Sequence, residues 1–180
     1  EHLASSQVVK SVKEKTGHDK CIVVQPFGRG IMEQEGMLTD LSGRSIEPAN
    51  LVKIISELSK EYAIIFMGEL AIDFKAHGCD KPIAIIAESE HFLGCDSVGQ
   101  HLAYAFDIPS TVVVGSTYPI NTSYPDCDFF KILDMGEVSR VYSPIRITVD
   151  EYADRVNEGI MQMNEQIEEH IIDEVKNNIK

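Results

Sequence analysis

The chain has 180 residues, 43% of them hydrophobic and 25% charged, a composition that supports one domain with a substantial core and argues against disorder. Sixteen Lys+Arg against 29 Asp+Glu leave a formal charge of −13, a surface that repels nucleic-acid backbones and anionic membranes. No stretch approaches the ~18 apolar residues of a membrane span.

The segment from His2 to Lys15 predicts a helix with Leu3, Val8, Val9 and Val12 toward one side, ended by Gly17. Cys21 to Gln25 is a short apolar run of the kind buried on both faces of a parallel sheet. Pro26 and Gly28 stop it, and residues Phe27 to Glu47 read as one long polar, Gly-rich loop. Pro48 opens a helix with Leu51, Ile54, Ile55 and Leu58 as its apolar face. Tyr62 to Met67 is a second buried strand, and Pro82 to Ala87, compatible with strand or helix, is read as helix.

His91 to Cys95 predicts a strand, Leu102 to Phe106 a helix, Thr111 to Val114 a strand and Phe129 to Leu133 a weaker one. From Thr148 onward the pattern is helical, with a bend at Gly159. Strands alternating with helices, without hairpin signals, predict an α/β fold in which helices cover both faces of a mainly parallel sheet. No repeat or low-complexity linker interrupts residues 1–180, so a single domain is expected.

Cys21, Cys79, Cys95 and Cys127 lie far apart, form no CxxC pair and have no His placed to suggest a zinc knuckle, so reduced thiols in a cytoplasmic protein are expected and a structural metal is not. His77 and His91 stand alone and read as structural. The apolar positions of the last helix, Met161, Met163, Ile167, Ile171, Ile172 and Val175, read as a packing face, or as a surface that docks a missing domain or a second subunit in a homodimer. No nucleophile elbow, HExxH or paired-carboxylate motif supports hydrolysis.

In a parallel α/β sheet, ligands sit outside the carboxyl ends of the strands. Three loops lie there: Gln25 to Glu47, Asp96 to His101 and Gly115 to Asp126. At the second, a strand ends and a helix begins, and the unpaired N–H groups and partial positive charge of a helix N-terminus attract phosphate. Gly99 would let a ligand approach the backbone, Ser97 offers a hydroxyl, and His101 lies about one turn on. The other reading of the same residues is an N-cap at Asp96 or Ser97, with His101 a partner within the fold. The first loop adds Arg29 and Arg44 among glycines, each able to fork onto a diphosphate or to be plainly solvated. It contains neither GxGxxG nor a Walker GK[ST]. The turns Gly115 to Asn121 and Tyr142 to Ile147 could cradle a sugar or simply leave a strand.

The block from His91 through Asp96-Ser97-Val98-Gly99-Gln100-His101-Leu102-Ala103 to Val114-Gly115-Ser116-Thr117 resembles the donor-side half of the family 9 glycosyltransferases, the ADP-heptose:lipopolysaccharide heptosyltransferase group. The family pattern is a strand, D-[ST]-G-x-x-H-L-x-A-A, then a strand ending G-x-T. The helix, strand and Pro48 helix that open the chain fit as well, so the likeness spans most of residues 3–125. It implies a Rossmann-like three-layer domain, the C-terminal half of a GT-B enzyme. It also implies a nucleotide-sugar donor held by Asp96, Ser97, Gly99 and His101, with Thr117 and Arg44 beside them. Two departures stand out: Val98 replaces the family's glycine, which follows one place later, and Arg44 stands where a Lys is expected.

Since the chain opens on Glu1 and nothing in it corresponds to the acceptor-binding half, it is expected to be the donor half alone, lacking its N-terminal acceptor domain and inactive by itself. The implied reaction is transfer of a sugar to an acceptor hydroxyl, with no cofactor or metal required and membrane contact only through a glycolipid acceptor. The rivals are half of a sugar-nucleotide epimerase of the same build, or a binding domain without catalysis.

Overall fold

A computed structural model describes residues 2–28, 30–34, 37–40, 42–68, 80–136, 160–161 and 163–179. In chain order these form α1 (His2–Thr16), β1 (Cys21–Gln25), β2 (Ile31–Gln34), β3 (Met37–Asp40), β4 (Ser45–Ile46), α2 (Pro48–Leu58), β5 (Ala63–Phe66), α3 (Asp80–Ala87) and β6 (His91–Cys95). They continue with α4 (Val98–Ala105), β7 (Ser110–Val114), α5 (Pro119–Thr122), β8 (Phe130–Asp134), β9 (Ile160–Met161) and α6 (Glu165–Asn178).

The main sheet has five strands in the order β5-β1-β6-β7-β8, every neighbouring pair parallel. Counting only its own strands, this is the doubly wound order 2-1-3-4-5. Its central strands are apolar at almost every position because both faces are covered. Ile22, Val24, Leu93, Cys95 and Val113 point to one face, where they pack with Leu51, Ile54 and Leu58 of α2 and Ile171 and Val175 of α6. Val23, Phe92, Val112 and Val114 point to the other, toward Ile86 of α3 and Ala103 of α4. The fold class expected from the alternating pattern is therefore the one observed.

Local chemistry explains the element ends. Gly17 terminates α1 at φ +74°, a left-handed position that Gly adopts without strain, and its N–H bonds the carbonyl of Lys13 at 2.9 Å. Val9 of α1 is buried against Cys21 and Ala63, whereas Val8, expected on the same side, is 40% exposed. Pro48 sits in the first turn of α2. Residues 82–87 belong to α3, with Ala84 and Ile86 buried, as expected of a helix.

Two expectations are corrected. The segment 27–47 is not one irregular loop: β2 and β3 pair antiparallel, Ile31 opposite Asp40 and Met32 opposite Thr39, and β4 follows. A two-stranded ribbon standing off the main sheet has little to bury, so its sequence lacks the apolar alternation that announces a strand. The C-terminal pattern is also not helical throughout. Ile160 and Met161 form β9, parallel to β4, and the helix starts at Glu165 after Asn164, whose side chain accepts the N–H of Ile167 at 3.0 Å. An apolar pair suits a short buried strand as well as a helix, and here pairing with Ser45 and Ile46 decided it. Residues 148–159, including the bend expected at Gly159, the turn 142–147, His77 and Cys79 lie outside the described residues.

The expected packing face of the last helix is observed for Ile171 and Val175, with Ile167 and Ile172 against the core, whereas Met161 and Met163 join the same cluster from β9 and the segment before α6 rather than from the helix. Among the described residues, no helix is long and apolar enough to cross a membrane.

Candidate functional site

The chain leaves β1 toward α2 on one face of the sheet and leaves β6 toward α4 on the other. Connections diverging from adjacent parallel strands open a crevice at their carboxyl ends, the topological switch point. Gln25 ends β1, and Asp96 and Ser97 follow β6, so the block singled out from sequence lies at that crevice.

Ser97 is the N-cap residue of α4, extended at φ −154°, ψ 179°, but its hydroxyl makes no cap bond. It donates instead to Gln25 Oε1 across the crevice at 2.8 Å. The first turn of α4 thus has no side-chain cap from Ser97, and its N–H groups and dipole leave partial positive charge at that end. Gly99 has a packing reason to be glycine. A Cβ there would overlap Gln25 Oε1 and lie 2.7 Å from the Phe92 ring, so the space read as room for a ligand is filled from within the chain.

Asp96 is 5% exposed and both its oxygens are engaged. Oδ1 accepts from Gln100 Nε2 at 2.5 Å, and Oδ2 accepts from Thr117 Oγ1 at 2.7 Å. Gln100, wholly buried, also donates to the carbonyl of Thr122 at 3.0 Å and accepts from Ser123 Oγ at 2.6 Å. This network ties the start of α4 to the exit of β7 and to α5. A buried polar network of this kind fixes geometry when its members are satisfied.

Arg44 reaches the same place from the hairpin side, its Nη1 donating to the carbonyl oxygen of Asp96 at 3.4 Å. His101 is exposed one turn along α4, its Nδ1 2.8 Å from the hydroxyl of Tyr124, and the two rings meet edge to face at 5.7 Å. Tyr124 in turn stacks flat on Tyr104 at 3.6 Å. Burial, and then the neighbouring Tyr104, push the Tyr124 hydroxyl above its usual range.

The Cys95 thiol, just before Asp96, is pushed up to about 12 chiefly by burial, with Arg44 only partly opposing. Cys21 is likewise raised to about 12, first by burial and then by Glu90. Neither is a thiolate near neutral pH, so neither serves as a nucleophile. Cys21, Cys95 and Cys127 are free thiols.

The structure therefore gathers Arg44, Asp96, Ser97, Gly99 and Thr117 at one crevice and sets His101 a turn away with Tyr124. Sequence reasoning missed three participants. Gln25 carried a signal, a polar residue closing an apolar strand at a switch point. Asp40 carried another, since Asp followed by Ser and Gly at the next positions but one and two is an Asx-turn pattern. Gln100 carried none beyond its place in the block.

No protein-family profile matches the chain, and no curated protein matches it. Among solved structures the chain is similar to the E. coli ADP-heptose lps heptosyltransferase II, at 17% identity and a TM-score of 0.48. The match covers 83% of this chain and 51% of that one, so the chain spans about half the length of that protein.

Proposed function

We propose that the crevice binds the diphosphate of a nucleotide sugar and that the chain is the donor-binding part of a sugar transferase. The observation that carries this reading is the meeting of Arg44 with the start of α4, whose cap hydroxyl is turned aside to Gln25. In a chain of net charge −13, a guanidinium beside a helix N-terminus offers donors suited to a phosphate group, although the buried carboxylates of Asp40 and Asp96 lie next to it. The resemblance of the 96–103 block to the donor side of family 9 glycosyltransferases supports the same ligand class.

In the proposed reaction an acceptor hydroxyl attacks the anomeric carbon, the glycosidic bond to the diphosphate breaks, and the nucleoside diphosphate departs with the electron pair. Arg44, the N–H groups of the first turn of α4 and His101 stabilise the charge that builds on the leaving oxygens. Asp96 and Thr117, engaged with one another, act by holding the start of α4 against the exit of β7. The acceptor and its base are supplied by a domain outside this chain, in a cytoplasmic enzyme.

The test is a titration of the full chain with ADP-, UDP-, GDP- and CMP-sugars followed by amide NMR shifts. One nucleotide class should give saturable shifts centred on residues 97–101, weakened about tenfold or more by Arg44→Ala, the cost of one charge-assisted contact. Shifts that ignore Arg44→Ala would refute the site. Silence across the panel would favour a binding domain that has lost this ligand.

A further inference from the structure

Asp40 closes β3 and is 1% exposed. Its two carboxylate oxygens accept five hydrogen bonds from the residues that follow. Oδ1 takes the N–H and hydroxyl of Ser42, while Oδ2 takes the N–H of Arg44 and the N–H and hydroxyl of Ser45. The turn 42–45 is thus an anion nest wrapped around the chain's own carboxylate.

Glycines from separate segments make room for it. A Cβ on Gly30 would lie 2.5 Å from Asp40 Oδ1, one on Gly28 3.2 Å from Arg44 Cβ, and one on Gly115 2.5 Å from the carbonyl oxygen of Gly43. Gly43 itself holds φ +61°. The turn is also tied outward to the exit of β7: Ser116 donates its hydroxyl to the carbonyl of Ser42 and its N–H to that of Gly43 at 3.2 Å. Arg44 is carried at the end of this clamp, next to Asp96.

We infer that Asp40 is the positioning residue for Arg44, holding the turn that sets its guanidinium toward the proposed diphosphate. This rests on the donor-site reading above. An arginine on an unbraced loop would have to be ordered at each binding event, whereas the nest orders its backbone during folding. Two anion-receptive features then stand side by side, a guanidinium and a helix N-terminus, and linked phosphoryl groups can occupy one each. The carboxylate matters for this, because it offers two all-acceptor oxygens. Asparagine would keep the shape but set an NH₂ against the donors of either Ser42 or Ser45.

The experiment titrates wild type, Asp40→Asn, Arg44→Ala and the double variant of the full chain with inorganic pyrophosphate and with orthophosphate, read by amide NMR. Wild type should prefer pyrophosphate, and Asp40→Asn should weaken it about tenfold. The double variant should bind no more weakly than Arg44→Ala alone. In the ligand-free protein, the Arg44 guanidinium signal, recognised by its loss in Arg44→Ala, should exchange faster with water in Asp40→Asn. Equal weakening by Asp40→Asn in both backgrounds, or an unchanged Arg44 signal, overturns the positioning role. Equal affinity for the two anions overturns the donor-site reading, while the Asp40–Arg44 coupling still stands or falls on the variants. No binding of pyrophosphate by wild type, with the Arg44 signal still loosened, overturns the donor-site reading and leaves the Asp40–Arg44 coupling standing. If Asp40→Asn does not fold, Ser42→Ala, which removes one donor and keeps the carboxylate, should shift both readouts the same way by about threefold, and no shift overturns the coupling.

Discussion

His91 makes stability depend on pH in a way that can be worked out from its surroundings. It opens β6 in the middle of the sheet, has no exposed surface, and its Nε2 lies 3.0 Å from Thr111 Oγ1. Its Nδ1 is buried and has no hydrogen-bond partner among the described residues. A proton on that ring would put an unsolvated charge in the core, and burial accordingly drives its pKa from 6.5 down to about 3. The native chain therefore refuses a proton that the unfolded chain accepts once the pH falls through the ordinary histidine range. Since the unfolded state binds the extra proton, stability drops by about 1.4 kcal/mol for each unit the pH is lowered between the two pKa values, and this contribution levels off below the lower one. Between about pH 7.5 and about pH 5 the loss from this one group is about 2 kcal/mol. Urea unfolding at both pH values, on wild type and His91→Gln, isolates it. The glutamine can still meet Thr111 but does not titrate, so whatever its own stability, its pH dependence should be flatter by about 2 kcal/mol. Identical pH dependence in the two proteins would refute the assignment of a neutral, buried His91.

Other expectations follow from packing and burial. Gly99→Ala places a methyl against the Phe92 ring and Gln25, and should cost about 1–3 kcal/mol, visible as a lower thermal midpoint by circular dichroism. Asn50 donates to Glu168 and to the carbonyl of Met163 and accepts the N–H of Met163, all buried. Asn50→Ala leaves Glu168, 4% exposed, with Lys53 alone and should cost about 3 kcal/mol, read as a lower urea midpoint at unchanged slope. Cys21 and Cys95 should resist iodoacetamide in the native protein while half-buried Cys127 reacts, as peptide mass spectrometry would show, and unfolding in urea should release them.

What could be read in advance was what local pattern dictates. β1, β6 and β7 announce themselves because strands covered on both faces are nearly continuous apolar runs, and α2 because Pro48 and a helical period agree. The 96–101 block was legible as a strand exit meeting a helix start, and its residues do lie at the switch point. What could not be read depends on partners distant in sequence. Ser97 looks like a cap until Gln25, more than seventy positions earlier, takes its hydroxyl. Gly99 looks like room for a ligand until Gln25 and Phe92 fill it. Ile160 and Met161 continue a helical pattern until β4 supplies a strand to pair with. Asp40 was overlooked because the segment around it was taken as one solvated loop, although its work is done within five residues.

The placement of α6 has a consequence for how the chain is made. One face of the sheet, with Leu93, Cys95 and Val113, is covered by α2 and α6 together, and β9 joins β4 just ahead of α6. As the chain emerges from the ribosome, the described helices of the opposite face, α1, α3 and α4, are complete by residue 105, whereas among the described elements α6 joins this face only once residues 165–178 are out. A nascent chain stalled before α6 would expose a strip of packed-core side chains on one side only. Chaperone capture during synthesis should therefore be strongest in that interval and end as the last helix docks.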